Sequence, residues 1–192
     1  MDIQIDISKT VIETDRLILR AFTEADLYDL YSYASVPGVG EMAGWPHHES
    51  IETSDRILHS FIDEKEVLAV YHKPDRKVIG SLGLHKSWAN EDEVYINLEA
   101  KEIGYVLSKD YWGHGLMPEA VNAVIDFGFD TLGLDAFTCC HFLENNRSRR
   151  VIEECGFRFV KQSEFFAKQL QRSYEDMKYM LLKEQHKSNP LF

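Results

Sequence analysis

Apolar positions recur along the chain with two spacings, which divide it into short strands and amphipathic helices. Alternating or continuous apolar runs predict strands at residues 16–22, 67–71, 77–85, 100–107, 136–142, 157–166 and 176–182. Apolar residues three and four apart predict helices at 23–34, 50–65, 118–132 and 146–155. Hairpins thus mix with helical crossovers. This order predicts an α/β (α+β) fold around one central mixed, mostly antiparallel, twisted sheet.

The length and the element count bound the architecture further. A chain of 192 residues suits one domain that buries a substantial core without disulfides or metal. The sheet is expected to have six to seven strands, flanked by about four helices. The sequence contains no internal repeat, low-complexity segment or interdomain linker.

Charge and composition narrow the functions that such a domain can have. The formal net charge of −11 argues against nucleic-acid binding, which needs a basic surface, and suits a cationic partner. No apolar run approaches the roughly 20 residues that span a membrane, and the N-terminus lacks the pattern of a signal peptide. We therefore expect a cytoplasmic protein with no membrane partner. The three cysteines lack metal-type spacing, so we expect reduced thiols and no metal site.

Residues 102–120 carry the strongest chemical signal. They predict an apolar strand, a loop that contains Gly113 and Gly115, and a helix that begins at Pro118. Unpaired loop N–H groups in front of a helix N-terminus form an anion site, and phosphate is the usual anion. Alternatively, the two glycines only serve a tight turn. The spacing excludes a dinucleotide fingerprint and a P-loop, since proline stands at 118 and Gly115 is followed by Leu116 and Met117.

Three segments together resemble the GNAT superfamily of acetyl-CoA-dependent N-acetyltransferases. The first is the glycine loop with its helix. The second is residues 144–157 (Glu-Asn-Asn-Arg-Ser-Arg-Arg-Val-Ile-Glu-Glu-Cys-Gly-Phe), similar to the family's Asn-x-x-Ser-x-Arg-Val segment. The third is residues 14–20 (Thr-Asp-Arg-Leu-Ile-Leu-Arg), similar to the opening strand of the branch that contains the ribosomal-protein N-terminal (alanine/serine) acetyltransferases. The resemblance implies a domain over residues 12–183, followed by a C-terminal tail at 184–192.

The resemblance also implies how acetyl-CoA, as cosubstrate, is bound. The fourth and fifth predicted strands splay apart, the cofactor arm enters the gap, and its pyrophosphate meets the glycine loop and the helix start. The usual loop is Gln/Arg-x-x-Gly-x-Gly/Ala, and here tryptophan and methionine replace the first and last residues. The residues that this assigns to cofactor binding are Tyr105, Val106, Leu107, Trp112, Gly113, His114, Gly115, Leu116, Met117, Glu119, Ala120 and Asn145.

Two side chains are candidates for proton transfer. Glu102 begins the splayed strand, where the resembled branch often has an acidic residue, and is the candidate general base. Its alternative is a solvent-facing strand residue. Ser148 is the candidate acid for the departing thiolate. Asn145 and Ser148 also stand three apart at a helix start, so that capping alone explains their spacing.

The acceptor is expected to be a primary amine. The branch resemblance favours a protein N-terminal amine, as on a basic ribosomal protein, and a polyamine or an aminoglycoside is the alternative. A CoA-binding module without catalysis is a further alternative from a different class. The protein is expected to be a monomer or a homodimer.

Overall fold

The computed structural model describes residues 2–187 as one mixed α/β domain. Its strands are β1 (Val11–Glu13), β2 (Leu17–Ala21), β3 (Val67–His72), β4 (Lys77–Lys86), β5 (Ala100–Leu107), β6 (Ala136–Phe142), β7 (Arg158–Ala167) and β8 (Arg172–Leu182). Its helices are α1 (Leu27–Ala34), α2 (Ile51–Glu64), α3 (Leu116–Asp130), α4 (Asn146–Glu154) and α5 (Lys183–Lys187). The strands form a single sheet in the order β1-β2-β3-β4-β5-β6-β8-β7.

The predicted fold class is confirmed, and the structure adds elements at both ends. The sheet has eight strands, one more than predicted, because the three residues of β1 are too short for a periodic signal. At the other end, α5 begins at Lys183, the last residue of the predicted domain, and continues into the predicted tail. Residues 188–192 of that tail are outside the described part of the chain. No helix among the described residues is long and apolar enough to cross a membrane.

Helix α3 begins two residues before the predicted start. Leu116 is its first residue, and Gly115 precedes it as the N-cap with a φ of +71°. Proline at position 118 still lies in the first turn, where its missing N–H costs no hydrogen bond. The earlier start brings the first amides of the helix next to the glycine loop.

The helices cover the two faces of the sheet, and side-chain alternation along β5 separates their cores. Ile103 and Leu107 pack with α3 and α4 in the larger core. Val106, on the opposite face, packs beside the core that α1 and α2 form. Glu102 shares the face of Val106 because side chains two residues apart in a strand point the same way. The carboxylate therefore lies on the side of α1 and α2.

A gap opens between β5 and β6, the only parallel pair of strands in the described sheet. Their pairing covers Ala100–Glu102 against Ala136–Thr138 and stops there. From Ile103 onward the two strands part, while β5 stays fully paired with β4 and β6 with β8. The splay expected between these strands, the fourth and fifth of the prediction, is therefore present.

Candidate active site

A large cavity of about 1270 Å³ is lined by residues on both sides of the gap between β5 and β6. One end lies at the glycine loop and the start of α4. The other end lies between α2, the connection that precedes it, and β8. Most predicted site residues line the cavity, including Glu102, Tyr105 and Ser148. The cavity thus connects the glycine loop with the α2 side of the sheet.

The glycine loop presents unpaired amides to one end of this cavity. Gly113 and Gly115 both have a positive φ, +80° and +71°, which a residue with a side chain adopts only with strain. Within residues 2–187 the amides of residues 113–117 have no hydrogen-bond partner. A cluster of free N–H groups at a helix N-terminus binds an anion. The loop therefore has the geometry of a phosphate site.

Glu119 and Ala120 do not fit the predicted set of phosphate-binding amides. Because α3 begins early, the Glu119 amide already donates to the Gly115 carbonyl at 3.2 Å. Ala120 is completely buried in the larger core. The side chain of Glu119 instead turns toward β2.

Arg16 fastens the glycine loop to the start of β2. Its Nε donates to Oε2 of Glu119 at 2.7 Å, and its backbone N–H donates to Oε1 of the same carboxylate at 2.9 Å. Its Nη1 donates to the His114 carbonyl at 2.9 Å. The hydroxyl of Thr14 also donates to Glu119, at 2.5 Å. The segment at 14–20 thus acts structurally on the loop, a role that its sequence does not reveal.

Replacing Arg16 with alanine should weaken CoA binding about fivefold, because the loop would no longer be held in its anion-binding form. The effect is modest since Arg16 is 44% exposed, and solvent screens its ion pair. Titration calorimetry with CoA measures it. Arg149→Ala, which removes an exposed ion pair with Glu153 away from the cavity, is the matched control. Equal affinities for both variants would contradict this role.

Cationic side chains gather at the same end of a strongly acidic chain. Two cations make cation–π contacts with the Trp112 ring. The guanidinium of Arg147 lies 4.5 Å from the ring centre, and the ammonium of Lys109 lies 5.7 Å from it. Arg147 and Arg150 line the cavity. With Arg16 they give this end the charge that a polyphosphate needs.

The edge of β5 that faces the gap keeps backbone groups available. Ile103 accepts a hydrogen bond from the Cys139 thiol of β6 at 3.2 Å, at the point where the strands part. Farther along, the Leu107 carbonyl accepts from Trp112 Nε1 at 2.9 Å. Because alternate residues of a strand direct their N–H groups to the same side, the Tyr105 and Leu107 amides face the gap and the Val106 amide faces β4.

The start of α4 brings Ser148 to the gap. Asn145 caps the helix, since its Oδ1 accepts from the Ser148 amide at 3.2 Å, and its Nδ2 donates to the Met42 carbonyl at 3.4 Å. The Ser148 hydroxyl lies 2.8 Å from the Tyr105 hydroxyl across the gap. Burial raises the pKa of Tyr105 well above its ordinary value, so this phenol stays protonated. The capping alternative is therefore confirmed for Asn145. The cap uses the Ser148 amide and not its hydroxyl, which contacts Tyr105 instead.

Glu102 lies half-buried on the other side of the gap, among polar groups of β6. Thr138 donates to its Oε2 at 3.3 Å, and the Cys140 thiol lies 3.6 Å from the same oxygen. Burial, followed by the charge of the nearby Asp176, raises the pKa of Glu102 to about 7. A carboxylate with that pKa accepts a proton and returns it near neutral pH.

The cysteines beside the gap are weak nucleophiles. Burial raises the pKa of Cys139 and of Cys140, and the charge of Glu102 adds to both shifts. Thiols that stay protonated at neutral pH do not attack a thioester efficiently. The site thus favours direct transfer over a cysteine acyl-enzyme.

The end of the cavity beyond Glu102 is aromatic. Four aromatic or histidine side chains, those of Trp45, His47, His48 and Trp88, line it. His85 and Asp176 also line it, and the sequence analysis missed both. Asp176 has no motif around it. The sequence does contain one local signal for His85. It stands two residues after Gly83 in β4, so that a glycine and a histidine share one face of the strand.

The sequence matches the acetyltransferase (GNAT) domain family over residues 16–158. The chain belongs to the GNAT acetyltransferase family. The uncharacterized N-acetyltransferase YoaA of Bacillus subtilis is 28% identical over 152 residues, which cover 77% of this chain and 82% of YoaA. As a family member, the protein is an acyltransferase that moves acetyl groups to nitrogen.

Solved GNAT structures share the fold across most of the chain. A putative ribosomal-protein-serine acetyltransferase from Vibrio cholerae has a TM-score of 0.73 at 17% identity and covers 91% of this chain and 98% of its own. A spermidine N-acetyltransferase from Vibrio cholerae, in complex with CoA and spermine, has a TM-score of 0.71 at 18% identity and covers 91% and 100%. These two structures belong to enzymes named for different acceptors. The fold therefore does not determine the acceptor of this GNAT protein, which has to be inferred from its own site.

Proposed function

We propose that this GNAT protein transfers the acetyl group of acetyl-CoA to a primary amine that enters the cavity beside Glu102. The observation that carries the proposal is the cavity itself, which joins an anion site at the glycine loop to a carboxylate with a pKa of about 7 through the β5–β6 gap. A phosphate-bearing thioester would bind at the anion site, and an amine would bind beside the carboxylate. Holding them together at the gap supplies much of the acceleration.

The residues at the basic end fit CoA. The free amides of 113–117 suit its pyrophosphate, and Arg147 and Arg150 supply compensating charge. The pantetheine arm would extend along the free edge of β5, past Tyr105 and Leu107 and near Asn145. On that edge the Tyr105 and Leu107 amides face the gap and would polarise the thioester carbonyl.

Glu102 is the proposed general base. An alkyl amine reaches the site as an ammonium ion at neutral pH and must lose a proton before it attacks. The Glu102 carboxylate takes that proton, directly or through water. Its pKa of about 7 makes it a stronger base than an ordinary carboxylate, and about half of it is ionised at pH 7.

Ser148 is the proposed acid, and Tyr105 positions it. When the C–S bond breaks, the thiolate needs a proton, and the Ser148 hydroxyl is the donor. The phenol of Tyr105 lies 2.8 Å from the serine oxygen and 3.2 Å from the Ser148 carbonyl. In the proposed step the phenol donates to the serine oxygen, which directs the serine proton toward the gap. Because this phenol remains protonated, it stabilises the serine oxygen by hydrogen bonding while the proton passes to the thiolate, and the serine oxygen then regains a proton from solvent.

Ser148→Ala should lower kcat about tenfold to a hundredfold, because one proton-transfer group is lost. Tyr105→Phe should lower it about threefold to tenfold, since one neutral hydrogen bond is lost. The double variant should be no slower than Ser148→Ala, because Tyr105 acts through the serine. Steady-state kinetics with saturating acetyl-CoA test this. Independent, multiplicative losses would contradict the coupling.

The proposed acceptor is a protein N-terminal amine, with a polyamine or an aminoglycoside as the alternative. The branch motif at 14–20 and the likeness to a ribosomal-protein acetyltransferase fold support the protein amine. The aromatic lining with Glu49 at its rim suits any of these cations. A non-catalytic CoA-binding module is the alternative from another class.

Thiol release from acetyl-CoA, measured with a panel of amines, ranks these acceptors. The panel contains basic peptides that begin with alanine or serine, spermidine and an aminoglycoside, together with peptides whose N-terminus is already blocked. We expect the free peptides to react fastest and the rate to fall as salt increases, because surface charge steers a cation to the site. Faster reaction of spermidine would favour the polyamine. A flat salt profile or a preference for neutral amines would contradict a cationic acceptor.

A further inference from the structure

The imidazole of His85 lies on two facing glycines in the floor of the acceptor end. Gly83 of β4 pairs directly with Gly104 of β5, and His85 pairs with Glu102 two residues along the same two strands. A Cβ at Gly83 would lie 2.3 Å from His85 Nε2, and a Cβ at Gly104 would lie 3.1 Å from Cδ2. The ring therefore occupies space that side chains would fill if positions 83 and 104 were not glycine.

This arrangement fixes where the imidazole points. The ring folds back along the strands over Gly83 and Gly104, so its Nε2 lies above the segment of β5 that has already parted from β6. Glu102 is the directly opposed residue on the same face, where side-chain stems lie about 5 Å apart. His85, Glu102 and Gly104 all line the cavity.

The ring nitrogens are available to a ligand. Among the hydrogen bonds of residues 2–187, none involves Nδ1 or Nε2 of His85, in contrast to His47, His48 and His141. The ring opens into the cavity, yet the surrounding protein lowers the pKa of His85 below its ordinary value. Desolvation is the main cause and Lys101 adds to it, while Glu66 and Glu64 oppose it. The imidazole is therefore neutral near pH 7 and has a lone pair to offer.

We propose that His85 accepts a hydrogen bond from the acceptor amine and holds its nitrogen beside Glu102 at the mouth of the β5–β6 gap. The inference rests on the proposed acetyl transfer and adds an acceptor-binding residue to it. One N–H of the acceptor donates to the imidazole, and a proton of the same nitrogen passes to the Glu102 carboxylate. His85 itself gains no proton and forms no covalent bond.

The glycine pair makes the proposal testable by chemical rescue. In His85→Ala the two glycines leave a recess of the size of an imidazole ring. We expect this variant to raise KM for the best amine of the panel about tenfold or more, with a smaller change in kcat and unchanged affinity for CoA. Added imidazole should restore activity in a saturable manner. His59→Ala, on the exposed side of α2, is the control and should behave as the wild type.

A second variant addresses the position of the ring. Gly83→Ala should displace the imidazole and raise the same KM, because its Cβ occupies the place of Nε2. Combined with His85→Ala, it should add little, since the ring that it displaces is already gone. Unchanged KM in His85→Ala, or loss of activity that imidazole does not restore while CoA still binds, would overturn the proposal.

Failure of acetyl transfer itself would be recognised separately. If the wild type acetylates no amine, the proposed function fails. His85 is then judged by the NMR signals of its ring when spermidine is added to the CoA-bound protein. Shifts of the His85 ring signals, with the His59 ring signals unchanged, would support the contact, and unperturbed His85 signals would overturn it.

Discussion

Replacing Glu102 with glutamine should lower kcat/KM for amine acetylation about a hundredfold or more at pH 7. The variant keeps the shape of the side chain and loses the base that takes the ammonium proton. In the wild type, kcat/KM should rise to a plateau through a pKa of about 7, since Glu102 acts only when ionised. In the variant this step should vanish, and the loss should narrow above pH 7 as the amine deprotonates unaided. A pH series with saturating acetyl-CoA measures both.

Two controls separate this role from damage to the fold. Glu99→Gln changes an exposed carboxylate just before β5 and should leave the rate unchanged. The folded state raises the pKa of Glu102 above 4.5, so ionising it costs stability as the pH rises from about 4.5 to 7. Glutamine removes that cost, and Glu102→Gln should therefore melt at the same or a higher temperature at pH 8. An active, equally stable variant would remove Glu102 from the mechanism.

Replacing Gly115 with valine should weaken CoA binding about tenfold or more. The glycine has a φ of +71°, and a β-branched residue would change that conformation and turn the loop amides away from a shared phosphate. The nearest atom to a Cβ there is Arg16 Nη2 at 3.7 Å, so the loss would not come from a clash within the protein. Titration calorimetry with CoA measures the affinity.

Gly133 offers a matched control for that variant. Its φ is +75°, and no atom lies within 4 Å of a Cβ built there. Gly133→Val should thus carry a similar backbone strain at the far end of α3 and lower the melting temperature by a similar amount. Only the Gly115 variant should lose affinity for CoA. If both variants bind CoA normally, the glycine loop is not the phosphate site.

The fold followed from the sequence where local signals agree with tertiary packing. Apolar periodicity located the long strands and helices because each buries one face against the same core. It missed β1, since three residues at a sheet edge bury too little to leave a pattern. The predicted start of α3 at Pro118 was two residues late. Proline indicates the first turn of a helix but does not indicate which position of that turn it occupies.

In the candidate site too, some features could be predicted from local sequence and others could not. Gly113 and Gly115 were visible because an anion loop needs particular backbone angles, which sequence records as glycine. The contacts of Tyr105 with Ser148, and of Arg16 with Glu119, join segments 43 and 103 residues apart, and no local pattern encodes such pairs. The face of Glu102 could not be assigned either, since alternation groups neighbours without showing which core each group meets.

Amine-dependent consumption of acetyl-CoA by the purified protein, with the product identified by mass spectrometry, tests the central claim most directly. Wild type and Glu102→Gln are compared at equal saturation with acetyl-CoA. We predict saturable release of the CoA thiol, matched mole for mole by acetylated amine, and strongly reduced in a variant that still binds CoA. If the wild type binds CoA through the glycine loop yet acetylates no amine of the panel, the cavity is a CoA-binding module and acetyl transfer at this site is contradicted.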